Sequence, residues 1–275
     1  MPQKVAQGNW HSGPSGRKSV VKHNDKETMT APAAFHRITE NRPSRWLVTI
    51  DHATNRVPDW VAGGDLGIDP AEMGRHIAYD IGALGLGLSL ADHLAAPVVW
   101  SDFSRLVIDP NRGEDDPTLV MQLYDGTVIA ANRAISAAGV EERLDRLHRP
   151  YHDALETLAA ARPDRVICAI HSFTPQLRGR APRPWEVGVL HSHLDSRLAL
   201  PLIAALAQAG ICVGDNEPYS GHLVGDSVDR HALGPGRPNV LIELRQDLIA
   251  DESGQKFWAA RLAPILVAAL QTSTL

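Results

Sequence analysis

From Arg45 onward the chain alternates short apolar runs with longer stretches in which apolar residues recur every three or four positions. "WLVTIDHATN", Trp46 to Asn55, opens on strand-forming residues and closes on polar ones. Asp69 to His93 is amphipathic throughout and opens on Asp-Pro, so it predicts one long helix. "APVVWSDFS" and "RLVID" predict two short strands, the second stopped by Pro110. Val128 to Ala161 predicts mostly helix, broken at Gly139 and periodic from Val140 until Pro163. "DRVICAIHSF", "WEVGVLHS", "ICVGDN" and "NVLIEL" predict four further strands. Helices are predicted at Leu194 to Ala209, closed by Gly210, and at Lys256 to Leu270.

Strands alternating with helices predict an α/β fold: a mostly parallel or mixed twisted sheet with helices on both faces. A chain of 275 residues suits one sizeable core. The expected layout is a polar N-terminal tail over residues 1–35, which takes in His11 and His23, followed by one catalytic domain over 36–275. His36, at the junction, is expected to behave as tail. Met29 offers an internal start that would make the preceding stretch an optional leader.

Charge and cysteine content narrow the partners. A formal net charge of −5, with no cluster of Lys and Arg, gives no field for nucleic acid. Cys168 and Cys212 lack the spacing of a zinc knuckle or redox pair, which fits a reducing cytoplasm. No apolar window reaches the length of a membrane span, and the start is not a secretory signal.

In an open α/β sheet, ligands bind beyond the carboxyl ends of the strands. The predicted strand ends here carry chemistry: Asp51, His52 and Asn55 after the first, and Asp109, Asn111 and Arg112 after "RLVID", with Arg105 at its start. His171 ends "VICAIHSF", and Glu243 and Arg245 end the last strand. Two imidazoles, an acidic residue and several guanidiniums suit an open zinc site. Such a site has three protein ligands, a free corner for water and a non-ligating glutamate as general base. An arginine would stabilise the oxyanion that forms on the attacked carbonyl.

These segments resemble known hydrolases. "IHSF" is similar to the "HSY" of zinc carboxypeptidases, which implies that His171 ligates metal, and "IELRQD" is similar to their "FELRD", which implies that Glu243 is the base. His52 with Asn55 keeps the spacing of their first ligand pair, implying a zinc-carboxypeptidase-like three-layer sandwich with His52, Asn55 and His171 on the ion. "RLVIDPNR" resembles the corresponding segment of aspartoacylases and succinylglutamate desuccinylases; this implies Arg105 on the scissile carbonyl and Asn111 with Arg112 on a substrate carboxylate. The set "DHATNRVP", "DIGA", "SRLVIDPNR", "HSFTP", "GDNEPYSG" and "IELRQDLI", spanning Val48 to Ile249, resembles the N-formylglutamate amidohydrolase family. The implied reaction is zinc-dependent (or other divalent-metal) hydrolysis of N-formyl-L-glutamate to formate and glutamate, a step of histidine degradation.

The residues leave choices open. Asn55 stands where carboxypeptidases have glutamate, so Asp51 is either an alternative third ligand or an acceptor for an imidazole N–H, and His76 and Asp80, spaced by one helical turn, either reach the metal or form a plain i,i+4 pair. Tyr219 sits in a loop that could close over the substrate, and Arg245 is either a substrate contact or an anchor for the base strand. His231, in a Gly- and Pro-rich loop, is as readily a solvated histidine as a substrate contact. Alternatives to the formylglutamate reading are a zinc amidase for another acyl amino acid or peptide, or a non-catalytic metal-binding protein.

Overall fold

The computed structural model describes residues 33–39 and 42–273, together with Met1 and Leu275. Pro32 to Leu275 forms one compact unit; the expected tail with His11 and His23, and the internal start at Met29, lie outside the described residues. Seven strands form the main sheet: β1 (Phe35–Ile38), β2 (Trp46–Ile50), β3 (Val98–Ser101), β6 (Val166–Phe173), β7 (Val187–Leu190), β8 (Val213–Asp215) and β9 (Asn239–Arg245). Their order is β1-β3-β2-β6-β9-β7-β8, and β4 (Leu123–Tyr124) pairs with β5 (Thr127–Val128) in a separate hairpin. Strands β3, β2, β6 and β9 run parallel, whereas β1 is antiparallel to β3 and β7 antiparallel to β9. The sheet is mixed, as alternating strands and helices led us to expect.

Side-chain alternation sorts the central strands into two faces. Val48 and Ile50 of β2, Val166, Cys168 and Ile170 of β6, and Val240, Ile242 and Leu244 of β9 pack with α2 (Ala83–His93), α5 (Ala199–Gln208) and α6 (Glu252–Thr272). Leu47, Ile167, Ala169 and Leu241 take the opposite face with α4 (Arg149–Ala160). Helices therefore cover both faces, giving three layers. Continuing the same alternation puts Asp51, His171 and Glu243 on the α4 face. His171 and Glu243 are direct neighbours in the parallel β6–β9 register.

Several local expectations give way to tertiary demands. Asp69 to His93 is not one helix: α1 (Pro70–Met73) is a single turn, and residues 75–82 are irregular before α2 begins. Gly82 explains the interruption. It sits at φ 80°, and a Cβ there would lie 2.1 Å from the Ile249 carbonyl oxygen. "RLVID" is a buried turn rather than a strand, two of its carbonyls satisfied by side chains. Asn132 Nδ2 donates to Leu106 O and Arg143 Nη1 to Val107 O. Gly139 does not break its helix; its amide donates to Ser136 Oγ, which caps α3 (Ala137–Arg143), and the irregularity comes later, as a π turn at Leu144–His148. His36 is not tail. It lies in β1, with its ring against Trp100 and Nε2 3.1 Å from Asp102.

Candidate metal and hydrolase site

β2 ends one residue before Asp51, and the following turn carries His52. Asp80, from the interrupted stretch, is fixed when its amide donates to the His52 carbonyl at 2.9 Å. Its Oδ2 then lies 2.8 Å from His171 Nδ1 and 3.3 Å from His52 Nδ1. His52, Asp80 and His171 each offer one ligand atom, with all three atoms within 4.8 Å of one another, and all three residues are buried. The third member of the cluster is thus Asp80 rather than Asn55. Asn55 is exposed and its amide donates to the Met73 carbonyl at 2.8 Å, so the chain spacing it shares with carboxypeptidases does not bring it to the imidazoles. His76 lines the same cavity and lies 3.6 Å from Asp125, but is not part of the cluster.

The outer nitrogens face carboxylates. His52 Nε2 is 2.7 Å from Asp109 Oδ1, which orients the ring from behind and leaves Nδ1 facing the cluster. His171 Nε2 lies 3.6 Å from Asp51 Oδ2, while Tyr151 donates to Asp51 Oδ1 at 2.5 Å. Asp51 is therefore a partner behind an imidazole, not a member of the cluster. Burial opposes charge on Asp80, yet the two imidazoles outweigh it and hold the carboxyl far below the usual range. Burial likewise opposes charge on His171, and the neighbouring carboxylates of Asp51 and Asp80 outweigh that and raise it well above the ordinary histidine range.

The donor set fits a divalent cation. Two imidazole nitrogens and one carboxylate oxygen form a common zinc triad, and carboxylates orient both rings from behind. Three buried atoms at the centre, Asp51 Oδ2, His171 Nε2 and Glu243 Oε2, have no hydrogen-bond partner. Carboxylate is in excess here, and a cation would balance it.

Glu243 is 7% exposed, and burial pushes its carboxyl up to about 7, with Asp80 pushing the same way against His171, His52 and Arg105. Arg105 is buried and held by Asp109 through Nε and Nη2 at 3.1 and 2.7 Å, with Nη1 3.7 Å from Asp80 Oδ1. Asn111 Oδ1 accepts from Ser227 N. Arg112 uses Nε on Thr118 and Nη1 on the Asn111 carbonyl, leaving Nη2 without a protein hydrogen bond among the described residues. His52, Asp80, His171, Glu243, Arg105, Asn111, Arg112 and Tyr219 line one cavity of about 180 Å³, with Tyr124 and Asp226 also in its wall. At about 30 Å³ per water, that space equals roughly six waters.

Tyr219 is exposed; its hydroxyl accepts from Arg183 Nη1 at 3.1 Å, and the Arg183 guanidinium lies 5.0 Å from its ring centroid. Its loop lies flat because Gly188 has no side chain, a Cβ there reaching 2.3 Å from Glu217 O. Arg245 is not in the cavity wall. It pairs with Asp247 and donates to the Pro184 and Trp185 carbonyls, which makes it the strand anchor of the two roles considered. His231 is neither solvated nor at the cavity: it is 2% exposed and hydrogen-bonded to His152 and Glu156. The sequence marked Asp109 only as a carboxylate beyond a strand end, and the role of Tyr151 behind Asp51 carried no sequence signal, its partner being 100 residues away.

Similarity to known proteins agrees with this frame. Residues 44–250 match the family model for N-formylglutamate amidohydrolase. Gene product Atu2144 from Agrobacterium tumefaciens has a similar structure at 33% identity and TM-score 0.82, covering 88% of this chain and 96% of that one. The N-formylglutamate amidohydrolase from Ralstonia eutropha is similar at 21% identity and TM-score 0.65, covering 86% and 96%. A metallo-carboxypeptidase from Pseudomonas aeruginosa is similar at 12% identity and TM-score 0.42, covering 89% and 64%. No curated protein matches the chain. No helix among the described residues is long and apolar enough to cross a membrane. With a family match that covers most of its length, the chain belongs to the N-formylglutamate amidohydrolase family.

Proposed function

We propose that the protein hydrolyses the amide bond of an N-acyl amino acid, with N-formyl-L-glutamate as substrate, using a divalent metal at His52, Asp80 and His171. The observation that carries this reading is Glu243, a buried carboxylate with an unpartnered Oε2, beside His171 in the register and next to a His-Asp-His cluster. A structural glutamate on a central strand would be expected to have a partner. Zinc suits the nitrogen and oxygen donors. When bound, the ion supplies Lewis acidity toward water and the substrate carbonyl.

The chain's own groups divide the remaining work. Glu243 takes a proton from the attacking water at a carboxylate oxygen and returns it to the departing amide nitrogen. Arg105, kept cationic by Asp109, supports negative charge as it develops on the carbonyl oxygen. Arg112, with Asn111 beside it, offers a nitrogen to the substrate carboxylate. Tyr219 and its loop wall off the mouth.

Glu243→Gln is expected to keep fold and metal content while lowering kcat by about 10²- to 10⁴-fold, the usual contribution of a general acid–base. Turnover near the parental rate would remove Glu243 from the chemistry. Release of formate from formylglutamate, compared with acetate or succinate from the matching acyl glutamates, tests the acyl group. Metal content without turnover on any of these would favour a binding protein.

A further inference from the structure

Behind the Pro110–Arg112 segment lies a row of buried histidines that the proposed chemistry does not use. His148 closes the π turn and His152 follows one helical turn later on α4; His231 comes from a second π turn, Asp229–Leu233. His152 Nε2 lies 3.0 Å from the Pro110 carbonyl oxygen, and His148 Nε2 lies 3.0 Å from that of Arg112. His152 Nδ1 is 2.8 Å from His231 Nε2, and His231 Nδ1 is 2.9 Å from Glu156 Oε2. Arg237 grips both Glu156 oxygens, at 2.9 and 2.7 Å, so Glu156 remains a carboxylate. An unbroken line of hydrogen-bonding groups thus runs from a half-exposed carboxylate to the backbone that carries Asn111 and Arg112.

Counting protons along this line gives a result. Its ends, the Glu156 carboxylate and the Pro110 carbonyl, can only accept. The three contacts therefore need three N–H protons from two rings, and two neutral imidazoles carry only two. The geometry points to a His152–His231 pair that shares one extra proton and uses it to hold the Pro110–Arg112 segment in its ligand-binding position. The end protons are fixed: His231 Nδ1 donates to Glu156 and His152 Nε2 to Pro110, and the third proton lies between His231 Nε2 and His152 Nδ1. These are positioning residues, since neither ring lines the cavity. Losing the extra proton must leave one of the three contacts, at Glu156, between the two rings or at Pro110, with two facing lone pairs. In the last case Ser227 Oγ, at 3.2 Å, is left as the other donor to that carbonyl.

The surroundings set the sign. Burial pushes His152 down, and His148, His231 and Arg230 push it the same way, with Asp51 opposing. Burial pushes His231 down as well; Glu156 pulls it up, Arg230 pushes it down and Asp51 pulls it up. His148, its ring tilted by 54° and 4.3 Å from that of His152, is lowered by burial and faces Glu114, Asp109 and Arg230. Tyr151 and Arg237 complete the polar groups around the pair. Burial outweighs the pull of Glu156, so both rings lie below the ordinary histidine range, His152 well below it, and the extra proton leaves there as pH rises. Where the Pro110 contact is the one that gives way, affinity for a carboxylate at Arg112 falls with it, by at most about tenfold per pH unit for one proton.

This inference rests on the proposed role of Arg112, and its test keeps the two apart. In full-length protein with ¹⁵N-labelled histidine, three of the four ring nitrogens of His152 and His231 should show protonated shifts at the pH where L-glutamate binds most tightly. Two protonated nitrogens there would overturn the inference whatever the substrate is. Glu156→Gln removes the charge that holds the extra proton, and its amide can donate to His231 Nδ1 only from the position that also meets Arg237 Nη1, so the rings stay neutral over that range. Glutamate binding by calorimetry should weaken with rising pH in the parent and stay flat over that range in Glu156→Gln. The same pH dependence in both proteins would overturn the proton-sharing pair. No glutamate binding at any pH in either would instead count against the substrate reading, with the nitrogen shifts deciding the pair by themselves.

Discussion

At the scale of single residues, the outcome turns on which groups a strand delivers and which a loop delivers. His171 and Glu243 were legible because each ends an apolar run with the parity of the α4 face, so secondary structure alone aims them. For the third position of the cluster, the sequence offered Asp80 only as one alternative beside Asn55 and Asp51. Asn55 holds the right chain spacing, but its backbone runs out to solvent; Asp80 comes from 28 residues beyond His52, and only the bond from its amide to His52 O brings it in. Asp80→Ala is expected to lower bound metal after dialysis by at least tenfold, while Asn55→Ala retains it, as read by elemental analysis. The reverse result would restore the carboxypeptidase spacing. Glu243, raised to about 7 by burial, must be deprotonated to act as a base. The kcat/KM profile should therefore rise with pH through an acid limb near neutrality, lying at lower pH where a bound cation stabilises the carboxylate, and Glu243→Gln should abolish that limb.

At the scale of elements, the strands β2, β3, β6, β7, β8 and β9 and the helices α5 and α6 follow from hydrophobic pattern, with boundaries shifted by a few residues. The failures share a cause. In Asp69 to His93 the helical period continues across residues whose backbone is diverted, because Ile77 and Ala78 are buried as a helix face would be. "RLVID" has the composition of a strand but closes back on itself, Arg105 bonding Asp109 four residues on. Periodicity reports burial, and burial does not require a regular backbone. Gly82 is the signal that could have revealed the break. Gly82→Ala would cost about 1–2 kcal/mol for the left-handed backbone alone, before the clash with Ile249 is relieved. Thermal unfolding should register a lowered midpoint, and metal affinity should fall with it, since Asp80 lies two residues away. An unchanged midpoint and unchanged affinity would mean that Gly82 does not set the position of Asp80.

At the scale of the whole molecule, an α/β sheet covered on both faces was foreseeable, whereas β1 at one edge and the reversed β7 depended on pairings between distant segments. The cavity was foreseeable only as a location beyond the strand ends, because its wall draws on segments from His52 to Glu243. The neighbouring placement of His171 and Glu243 on β6 and β9 has one more consequence. These two strands occupy inner positions of the sheet, so the reactive centre belongs to the portion expected to open last when the molecule fluctuates. Catalytic competence and global cooperativity are then a single property: warming should not yield a folded but silent enzyme, because whatever separates these groups also separates the layers around them.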